Sequence, residues 1–255
     1  MLKHRYLPMT ENDKKEMLEA IGVSSIDELF ADIPESVRFK GQYKIKPAKS
    51  ESELTKELGR LAAKNKDTKT YTSFLGAGVY DHYTPIIVDH VLSRSEFYTA
   101  YTPYQPEISQ GELQAIFEYQ TMICELTGMD VANSSMYDGG TALAEAAMLS
   151  SGSTKRKKIL VSSTVHPESR DVLKTYAKGQ YIEVAEIPYK EGLTDLAALE
   201  RMMDGDVAGV VVQYPNFFGR IEQLDEIERI VHAQKGMLIV SSNPLALGAL
   251  KPPGE

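Results

Sequence analysis

A glycine-rich turn at the start of a predicted helix is the first candidate for chemistry. Its residues are Asp138-Gly139-Gly140-Thr141, and an alanine-rich helix is predicted to follow, to about residue 150. Glycines let the backbone approach a phosphate, a helix N-terminus presents free N–H groups, and the Thr141 hydroxyl could add a donor. A tight turn with a helix N-cap has the same pattern. On spacing alone we favour that turn, because glycine-rich helix starts are common.

A histidine that follows a predicted strand is the second candidate. His166 lies after the strand predicted at 159–163 and immediately before Pro167, where a helix is predicted. Ligands of open α/β sheets bind at the carboxyl ends of strands, and an imidazole there could stack on a flat cofactor ring or transfer protons. A helix-start residue fixed by Pro167 explains the same pattern, and both interpretations stay open. The segment 214–219 also follows a strand, so we expect it at the same edge.

The loop at 98–110 is rich in polar aromatic residues. It contains three tyrosines, two prolines and a glutamate. Prolines stiffen such a loop, and tyrosines offer flat faces with polar tips. We expect the edge of a pocket or an interface rather than a hydrophobic seam between domains. The residues predicted at that edge are Tyr101, Tyr104, Gln105, Glu107 and Ser109.

Other reaction chemistries have little support in the sequence. His4, His82, His90 and His232 lack metal-site spacing, and the single cysteine argues against a zinc site, so no metal is expected. No Ser/His/Asp pattern or GxSxG segment is present. The segment 76–78 has two glycines but no third at the right spacing and no preceding strand, so it is predicted to be a structural loop.

The elements that position these residues indicate an α/β fold. From residue 109 onward, short apolar strands alternate with helices of about ten residues or more, which is typical of βαβ units and a parallel-dominated sheet covered on both faces. Strands are predicted at 159–163, 181–187, 207–213 and 237–241. Helices are predicted at 109–127, 139–150, 167–178, 195–203 and 223–234. The basic run at 155–158 is predicted to be a solvated turn before the first strand.

The remainder of the chain is predicted to be mostly helix and loop. Residues 1–108 form an N-terminal helical and loop segment in this interpretation, and residues 109–255 form the N-terminal part of a large α/β domain. Capping-box spacing at residues 10 and 13, and again at 50 and 53, predicts two helix starts. Thr84 and Pro85 have the chemistry of an N-cap and a first helical residue. The ending soon after the apolar run 237–240 resembles a chain cut after a core strand.

Composition excludes several classes of protein. The chain has 255 residues, 42% of them apolar and 25% charged, as in ordinary globular proteins. A net charge of −8 argues against a nucleic-acid binder or a binder of anionic membranes. One cysteine excludes an intrachain disulfide and fits a reducing, cytoplasmic setting. The sequence contains no apolar run long enough for a transmembrane helix and no secretory leader pattern.

Five segments resemble one protein family. They are RYLPMT at 5–10, FLGAG at 74–78, YTAYTPYQPEISQG at 98–111, YDGGTA at 137–142 and QYPNFFG at 213–219. Together they resemble the first subunit of glycine decarboxylase, the P-protein of the glycine cleavage system, in its two-subunit bacterial form. The resemblance runs from residue 4 to the last residue. Because the family's first subunit continues well past residue 255, the chain resembles its N-terminal portion.

The resemblance implies a fold and a reaction. The fold is the aspartate aminotransferase-like type I fold of pyridoxal-phosphate-dependent enzymes. In the implied reaction, glycine loses its carboxylate as CO₂ and the aminomethyl group passes to the lipoyl arm of the H-protein. Pyridoxal phosphate supplies the electron sink, while the protein supplies orientation and electrostatics. The implied partners are a second subunit, in a heterotetramer, and the lipoylated H-protein. Arg5 is a further candidate donor to the glycine carboxylate.

Two departures from the pattern of such enzymes bear on the cofactor. They place an Asp at a strand end to hold the pyridine N–H⁺, and the matching strand end here carries the neutral Asn243. Their Schiff-base lysine lies tens of residues further on, whereas Lys251 comes too soon after the strand and is followed by two prolines. We therefore expect the second subunit to anchor pyridoxal phosphate, and this chain to complete the pocket at the interface.

Two alternatives remain open at this point. A self-sufficient pyridoxal-phosphate lyase or aminotransferase would place Gly139, Gly140 and Thr141 on the phosphate and His166 over the ring. A purely structural scaffold would use the glycine turn only as a helix cap.

Overall fold

A computed structural model of the chain describes residues 6–79, 82–98 and 102–255. The chain divides into two compact units, Met1–Tyr71 and Thr72–Glu255. The predicted boundary at residue 108 stays a prediction. No helix within the described ranges combines the length and apolarity that crossing a bilayer requires.

The described residues of the first unit form two capped α-helices and a 3-10 helix. α1 spans Glu11–Ile21 and α2 spans Glu51–Ala62, and a 3-10 helix at Ile26–Phe30 lies between them. Thr10 caps α1 by accepting from the Asp13 N–H at 3.2 Å, while the Asp13 carboxylate accepts from the Thr10 N–H at 2.7 Å. Ser50 and Glu53 repeat this reciprocal arrangement at α2. Both predicted capping boxes are therefore confirmed.

Three helices come first in the described part of the second unit. They are α3 (Ile86–Leu92), α4 (Ser95–Tyr98) and α5 (Gln110–Thr127). Gly128, with φ of 70°, ends α5 in the left-handed region, as its position predicts. The predicted start of α3 is wrong by one residue. Pro85 is the N-cap rather than the first helical residue, because its ψ of 141° is extended, and Thr84 does not cap the helix.

Six strands and four further helices follow. The strands are β1 (Lys158–Ser162), β2 (Glu183–Ile187), β3 (Tyr189–Lys190), β4 (Leu193–Thr194), β5 (Val207–Tyr214) and β6 (Met237–Ser242). The helices are α6 (Gly139–Thr154), α7 (Pro167–Gly179), α8 (Leu196–Met202) and α9 (Leu224–Ala233), and a 3-10 helix at Pro244–Gly248 follows β6. The predicted alternation of strand and helix is confirmed.

A four-stranded parallel sheet forms the centre of this unit. Its order is β2-β1-β5-β6, and all three pairings are parallel. Ile159 and Val161 of β1 pack with Leu173 and other buried residues of α6 and α7, while Leu160 packs with Ile227 and other buried residues of α8 and α9. Alternate residues of one strand thus enter two cores, as expected for a sheet with helices on both faces.

Two local features differ from the sequence prediction. β3 and β4 form a short hairpin that we did not predict, with positive φ at both Glu191 and Gly192. The basic run at 155–158 is not simply solvated. The Arg156 guanidinium donates to the carbonyls of Val207 at 2.8 Å and Gln234 at 2.9 Å, which joins three segments at the amino edge of the sheet.

Candidate functional site

The strand order defines one crevice at the carboxyl edge of the sheet. The connection after β1 passes through α7 to β2 on one side, and the connection after β5 passes through α9 to β6 on the other. The direction of chain progression therefore reverses between β1 and β5. In open α/β sheets, ligands bind at such a reversal, outside the carboxyl ends of the strands.

The segments that follow β1 and β5 are joined at this crevice. The backbone N–H of His166 donates to the side-chain Oε1 of Gln213 at 2.8 Å. In the opposite direction, the backbone N–H of Phe217 donates to the carbonyl of Thr164 at 2.8 Å. These two bonds place the segments 163–166 and 214–219 at one edge, as the sequence predicts.

Both ring nitrogens of His166 are occupied. Nδ1 accepts from the backbone N–H of Glu168 at 3.2 Å, and Nε2 lies 2.9 Å from the carbonyl oxygen of Ala77. The neutral tautomer with the proton on Nε2 satisfies both contacts. His166 is thus the side-chain cap of α7, at the crevice, and its role toward a cofactor stays a prediction.

A row of aromatic rings extends from His166 along this edge. The His166 and Phe217 rings are 5.1 Å apart and nearly perpendicular, at 83°. Phe217 lies 6.0 Å from Phe218, which in turn lies 5.2 Å from Tyr189. The first two pairs are edge-to-face, which is favourable for aromatic rings at these distances, and the third is tilted by 55°.

The glycine loop at 76–78 lies against His166. Gly76, Ala77 and Gly78 all have positive φ, at 62°, 56° and 86°. A Cβ at Gly78 would lie 3.3 Å from Cδ2 of His166, which is closer than ordinary side-chain contacts. The sequence predicts a structural loop here but does not predict that the loop lies at the crevice, because no local pattern indicates which distant residue the loop contacts.

The glycine-rich turn before α6 is an N-cap. The Asp138 carboxylate accepts from the Thr141 N–H at 2.8 Å, and the Thr141 hydroxyl donates to the Asp138 carbonyl at 3.1 Å. The backbone hydrogen bond from Thr141 holds the pKa of Asp138 below its ordinary value. An anionic side chain therefore occupies the helix end where a phosphate would need donors. A Cβ on Gly140 would contact Ser169 of α7 at 3.7 Å, so the turn packs beside the start of that helix.

Asn243 follows β6 and caps the short helix after it. Its side-chain Oδ1 accepts from the Leu245 N–H at 3.1 Å, and its own N–H donates to the carbonyl of Tyr214 at 3.4 Å. Further along, Gly254 donates to the Thr127 carbonyl at the end of α5, so the tail that carries Lys251 runs to that helix.

A buried polar cluster lies beneath the turn at 214–219. The Glu222 carboxylate, only 5% exposed, accepts from the Thr164 hydroxyl at 2.8 Å, the Asn216 amide at 2.7 Å and the Thr194 backbone N–H at 3.0 Å. The Ser162 hydroxyl lies 2.8 Å from the hydroxyls of Thr164 and Thr194. Sequence reasoning missed this cluster, and the only local signal was an acidic residue between the turn and the next helix.

The described part of the tyrosine-rich loop, residues 102–109, leads directly into α5. Tyr104 is 78% exposed, and Glu107 lines an open groove of about 800 Å³ along α5 with Leu113 and Phe117. Within the described structure, the hydrogen bonds of residues 102–109 are local to the loop and the start of α5, and none of them reaches His166. Gln105 is exposed and Ser109 half-buried, at the N-cap of α5. Arg5 and Tyr101 lie outside the described residues.

Comparison with known proteins gives one consistent family. A sequence model described as "Glycine cleavage system P-protein" matches residues 4–255. The probable glycine dehydrogenase (decarboxylating) subunit 1 of Bacillus licheniformis is 78% identical over 253 residues, covering 99% of this chain and 56% of that protein. The same subunit of Anoxybacillus flavithermus is 77% identical over 252 residues, with the same coverage. The chain thus spans about half the length of the curated relatives it matches.

Solved structures agree on the fold. An inhibitor-bound glycine decarboxylase (P-protein) of the glycine cleavage system superposes with a TM-score of 0.86 at 43% identity, covering 98% of this chain and 56% of that one. A sphingosine-1-phosphate lyase from Burkholderia pseudomallei superposes with a TM-score of 0.60 at 14% identity, covering 81% of this chain and 50% of the other. The predicted fold class, the type I fold of pyridoxal-phosphate-dependent enzymes, is confirmed.

Proposed function

Because the chain belongs to the glycine cleavage system P-protein family, we propose that it acts in the first subunit of a glycine dehydrogenase (decarboxylating). The match to the family over residues 4–255 carries this proposal. The substrate is glycine, which loses CO₂, and the aminomethyl group is transferred to the lipoyl arm of the H-protein. The partners are a second subunit, with which the chain forms a heterotetramer, and the lipoylated H-protein. The reaction takes place in the cytoplasm and involves neither nucleic acid nor a membrane.

The side chains of this chain do not fit an anchoring site for pyridoxal phosphate, the cofactor that supplies the electron sink. The Asp138 carboxylate occupies the end of α6, where it would repel a phosphate. Asn243 is a neutral amide whose oxygen caps a 3-10 helix, and it offers no charge to a pyridinium. Both ring nitrogens of His166 already have hydrogen-bond partners within this chain, the Glu168 N–H and the Ala77 carbonyl. We therefore place the anchoring lysine on the second subunit.

The contribution of this chain is then to complete the pocket from its own side. The tyrosine-rich loop supplies hydroxyl, amide and carboxylate groups to the pocket edge through Tyr101, Tyr104, Gln105, Glu107 and Ser109, and Arg5 supplies a cation for the glycine carboxylate. The exposure of Tyr104 in the described structure fits contact with another chain, since tyrosine is enriched at interfaces.

The self-sufficient lyase or aminotransferase is not favoured. It needs Gly139, Gly140 and Thr141 on the cofactor phosphate, whereas the Thr141 N–H and hydroxyl are both used by Asp138. It also needs a lysine at the pocket, and Lys251 lies on the tail that runs to the end of α5.

The experiment separates activity from cofactor anchoring. Purified chain, and separately the chain co-expressed with a second subunit, are incubated with pyridoxal phosphate and reduced with borohydride, and labelled lysines are located by mass spectrometry. We expect a stoichiometric lysine adduct only on the second subunit, and CO₂ release from glycine only when both subunits and lipoylated H-protein are present. A stoichiometric adduct on this chain, or CO₂ release by this chain alone, would overturn the proposal.

A further inference from the structure

Glu222 is a buried carboxylate whose neighbours belong to three separate parts of the fold. Thr164 follows β1, Thr194 ends β4 and Asn216 follows β5. A buried carboxylate is costly unless hydrogen bonds replace its lost hydration, and these three donors supply them. Glu222 therefore acts as a common acceptor for segments that are distant in sequence.

The hydroxyl groups around Glu222 form a chain with one consistent direction. The carboxylate only accepts, so the Thr164 hydroxyl donates to it at 2.8 Å. The Thr164 oxygen then accepts from Ser162 at 2.8 Å, and Ser162 accepts from Thr194 at 2.8 Å. Each hydroxyl donates its single proton to the next oxygen in the chain. The acceptor oxygen of Glu222 thus sets the orientation of all three hydroxyls.

Two residues of this cluster, Asn216 and Thr164, form hydrogen bonds with the segments that line the crevice. The Asn216 amide donates to Glu222 and to the Gly192 carbonyl, while its Oδ1 accepts from the N–H groups of Phe218 and Arg220 at 3.0 Å each. Asn216 therefore shapes the turn that carries Phe217 and Phe218. On the other side, the carbonyl of Thr164 accepts from Phe217, whose ring contacts His166.

From these contacts we propose that Glu222 is a positioning residue that orients Phe217 and His166 at the crevice without touching substrate or cofactor. The inference rests on the proposed function only for its consequence on glycine turnover. Its structural content, that one carboxylate fixes the turn at 214–219 against the segment 163–166, does not depend on it.

Glu222→Gln is the direct test, because it preserves volume and removes one acceptor. In either orientation of the new side chain, its NH₂ group faces hydrogen-bond donors. These donors are either the Thr194 N–H, or the Thr164 hydroxyl and the Asn216 amide. An unsatisfied buried donor is costly, so at least one of the three contacts must open.

Hydrogen–deuterium exchange on the chain reports that opening without any enzyme assay. We expect exchange in peptides covering 192–194 and 216–220 to accelerate by about tenfold or more in the variant. Exchange in the strand centres at 159–161 and 209–212 should stay close to wild type. Asp204→Asn is the matched control, since it removes a carboxylate that pairs with Lys158 at the opposite edge of the sheet. It should leave the peptides at the turn unchanged.

A second pair of variants keeps the proposal testable if Glu222→Gln fails to fold. Thr164→Val removes the hydroxyl that donates to Glu222 and accepts from Ser162, and Thr164→Ser restores it. The valine variant should accelerate exchange at 216–220, and the serine variant should recover most of the protection. Unchanged exchange at the turn, or equal acceleration throughout the sheet, would overturn the proposal.

The consequence for catalysis is measured in the assembled enzyme. Glu222→Gln should lower kcat for glycine by about tenfold with a smaller change in KM, because crevice geometry is altered while substrate-binding groups elsewhere remain. An unchanged kcat alongside faster exchange at the turn would contradict the positioning role. Absence of glycine turnover in the wild-type assembly would instead refute the proposed function, and the exchange result would still stand.

Discussion

The imidazole of His166 packs so closely against Gly78 that a side chain at position 78 would place its first carbon 3.3 Å from Cδ2 of the ring. Gly78 also has a φ of 86°, in the left-handed region that favours glycine. Two independent constraints therefore act at one position, and together they connect the glycine loop to the crevice.

Gly78→Ala should loosen this loop. The left-handed conformation costs an alanine about 1–2 kcal/mol, and the contact with His166 adds to it. Exchange of the Glu168 N–H, which donates to His166 Nδ1, should accelerate by about tenfold. Gly22→Ala is the matched control, because Gly22 has a φ of 85° with no atom within 4 Å of the added carbon. An equal effect of both substitutions on the Glu168 amide would contradict the contact.

Gly209→Ala should destabilise the sheet by about 1–3 kcal/mol, the usual cost of overpacking a core. The added carbon would lie 2.8 Å from the Ser150 Oγ and 3.1 Å from the carbonyl of Met237 on β6. Gly205→Ala, where no atom lies within 4 Å, should change the free energy of unfolding by less than about 0.5 kcal/mol. Urea denaturation of both variants tests this difference. Similar unfolding midpoints would contradict the prediction and show that the sheet can accommodate the added carbon at position 209.

The ion pairs of Glu186 should make stability depend on acid pH. The hydrogen bond from Lys174 is the largest cause that lowers the Glu186 pKa below its ordinary 4.5, and the charge of Arg170 adds to it. A lowered pKa in the folded state stabilises the protein above the unfolded pKa, and this stabilisation is lost as pH falls through the folded value.

Glu186→Gln should therefore cost about 0.5–1 kcal/mol at neutral pH, allowing for solvent screening of a partly exposed pair. The difference from wild type should shrink as pH falls below about 4.5, the ordinary value for Glu. Glu226→Gln, which removes an exposed partner of Arg229, provides the control and should show a smaller difference at neutral pH. Denaturation midpoints measured from pH 7 down to pH 3 decide between these outcomes, and a Glu186→Gln difference that does not diminish over this range would refute the linkage.

Tyr104→Phe and Glu107→Gln should lower glycine turnover in the assembled enzyme by about tenfold, as expected when a positioned polar group is lost from a pocket. Tyr104 is 78% exposed and Glu107 is exposed, so the melting temperature should change little. Steady-state kinetics and thermal melting are measured on the same preparations. A fall in melting temperature with unchanged activity per folded molecule would assign the loop a structural role.

The chain alone should self-associate through the groove along α5. Phe117 is 65% exposed and Met122 61% exposed on this helix, and contiguous apolar surface favours association. The net charge of −8 moderates the effect, so oligomers are expected rather than precipitation. Replacing both residues with Gln should lower the mass found by light scattering, whereas Leu149→Gln, on α6, should not. A monomer at all concentrations would contradict this prediction.

Local patterns in the sequence determined the elements of the fold. The capping boxes at Thr10 and Ser50, the left-handed Gly128, and the alternation of apolar strands with helices each depend on residues within a few positions of one another. Such signals do not depend on tertiary contacts, so the predicted positions of helices and strands agree closely with the observed ones. The start of α3 and the hairpin of β3 and β4 were not predicted correctly, because their signals span only one or two residues.

Only the tertiary structure decided which distant residues meet at the crevice. Glu222 contacts Thr164 across 58 positions, and the Ala77 carbonyl contacts His166 across 89. Nothing in the local sequence around either residue indicates its partner. The contact of Glu222 with Thr164 arises because parallel strands bring their carboxyl ends to one edge, where the order of β1 and β5 in the sheet sets the neighbours. The sequence therefore determined the elements and the family resemblance, while sheet topology determined the geometry of the candidate site.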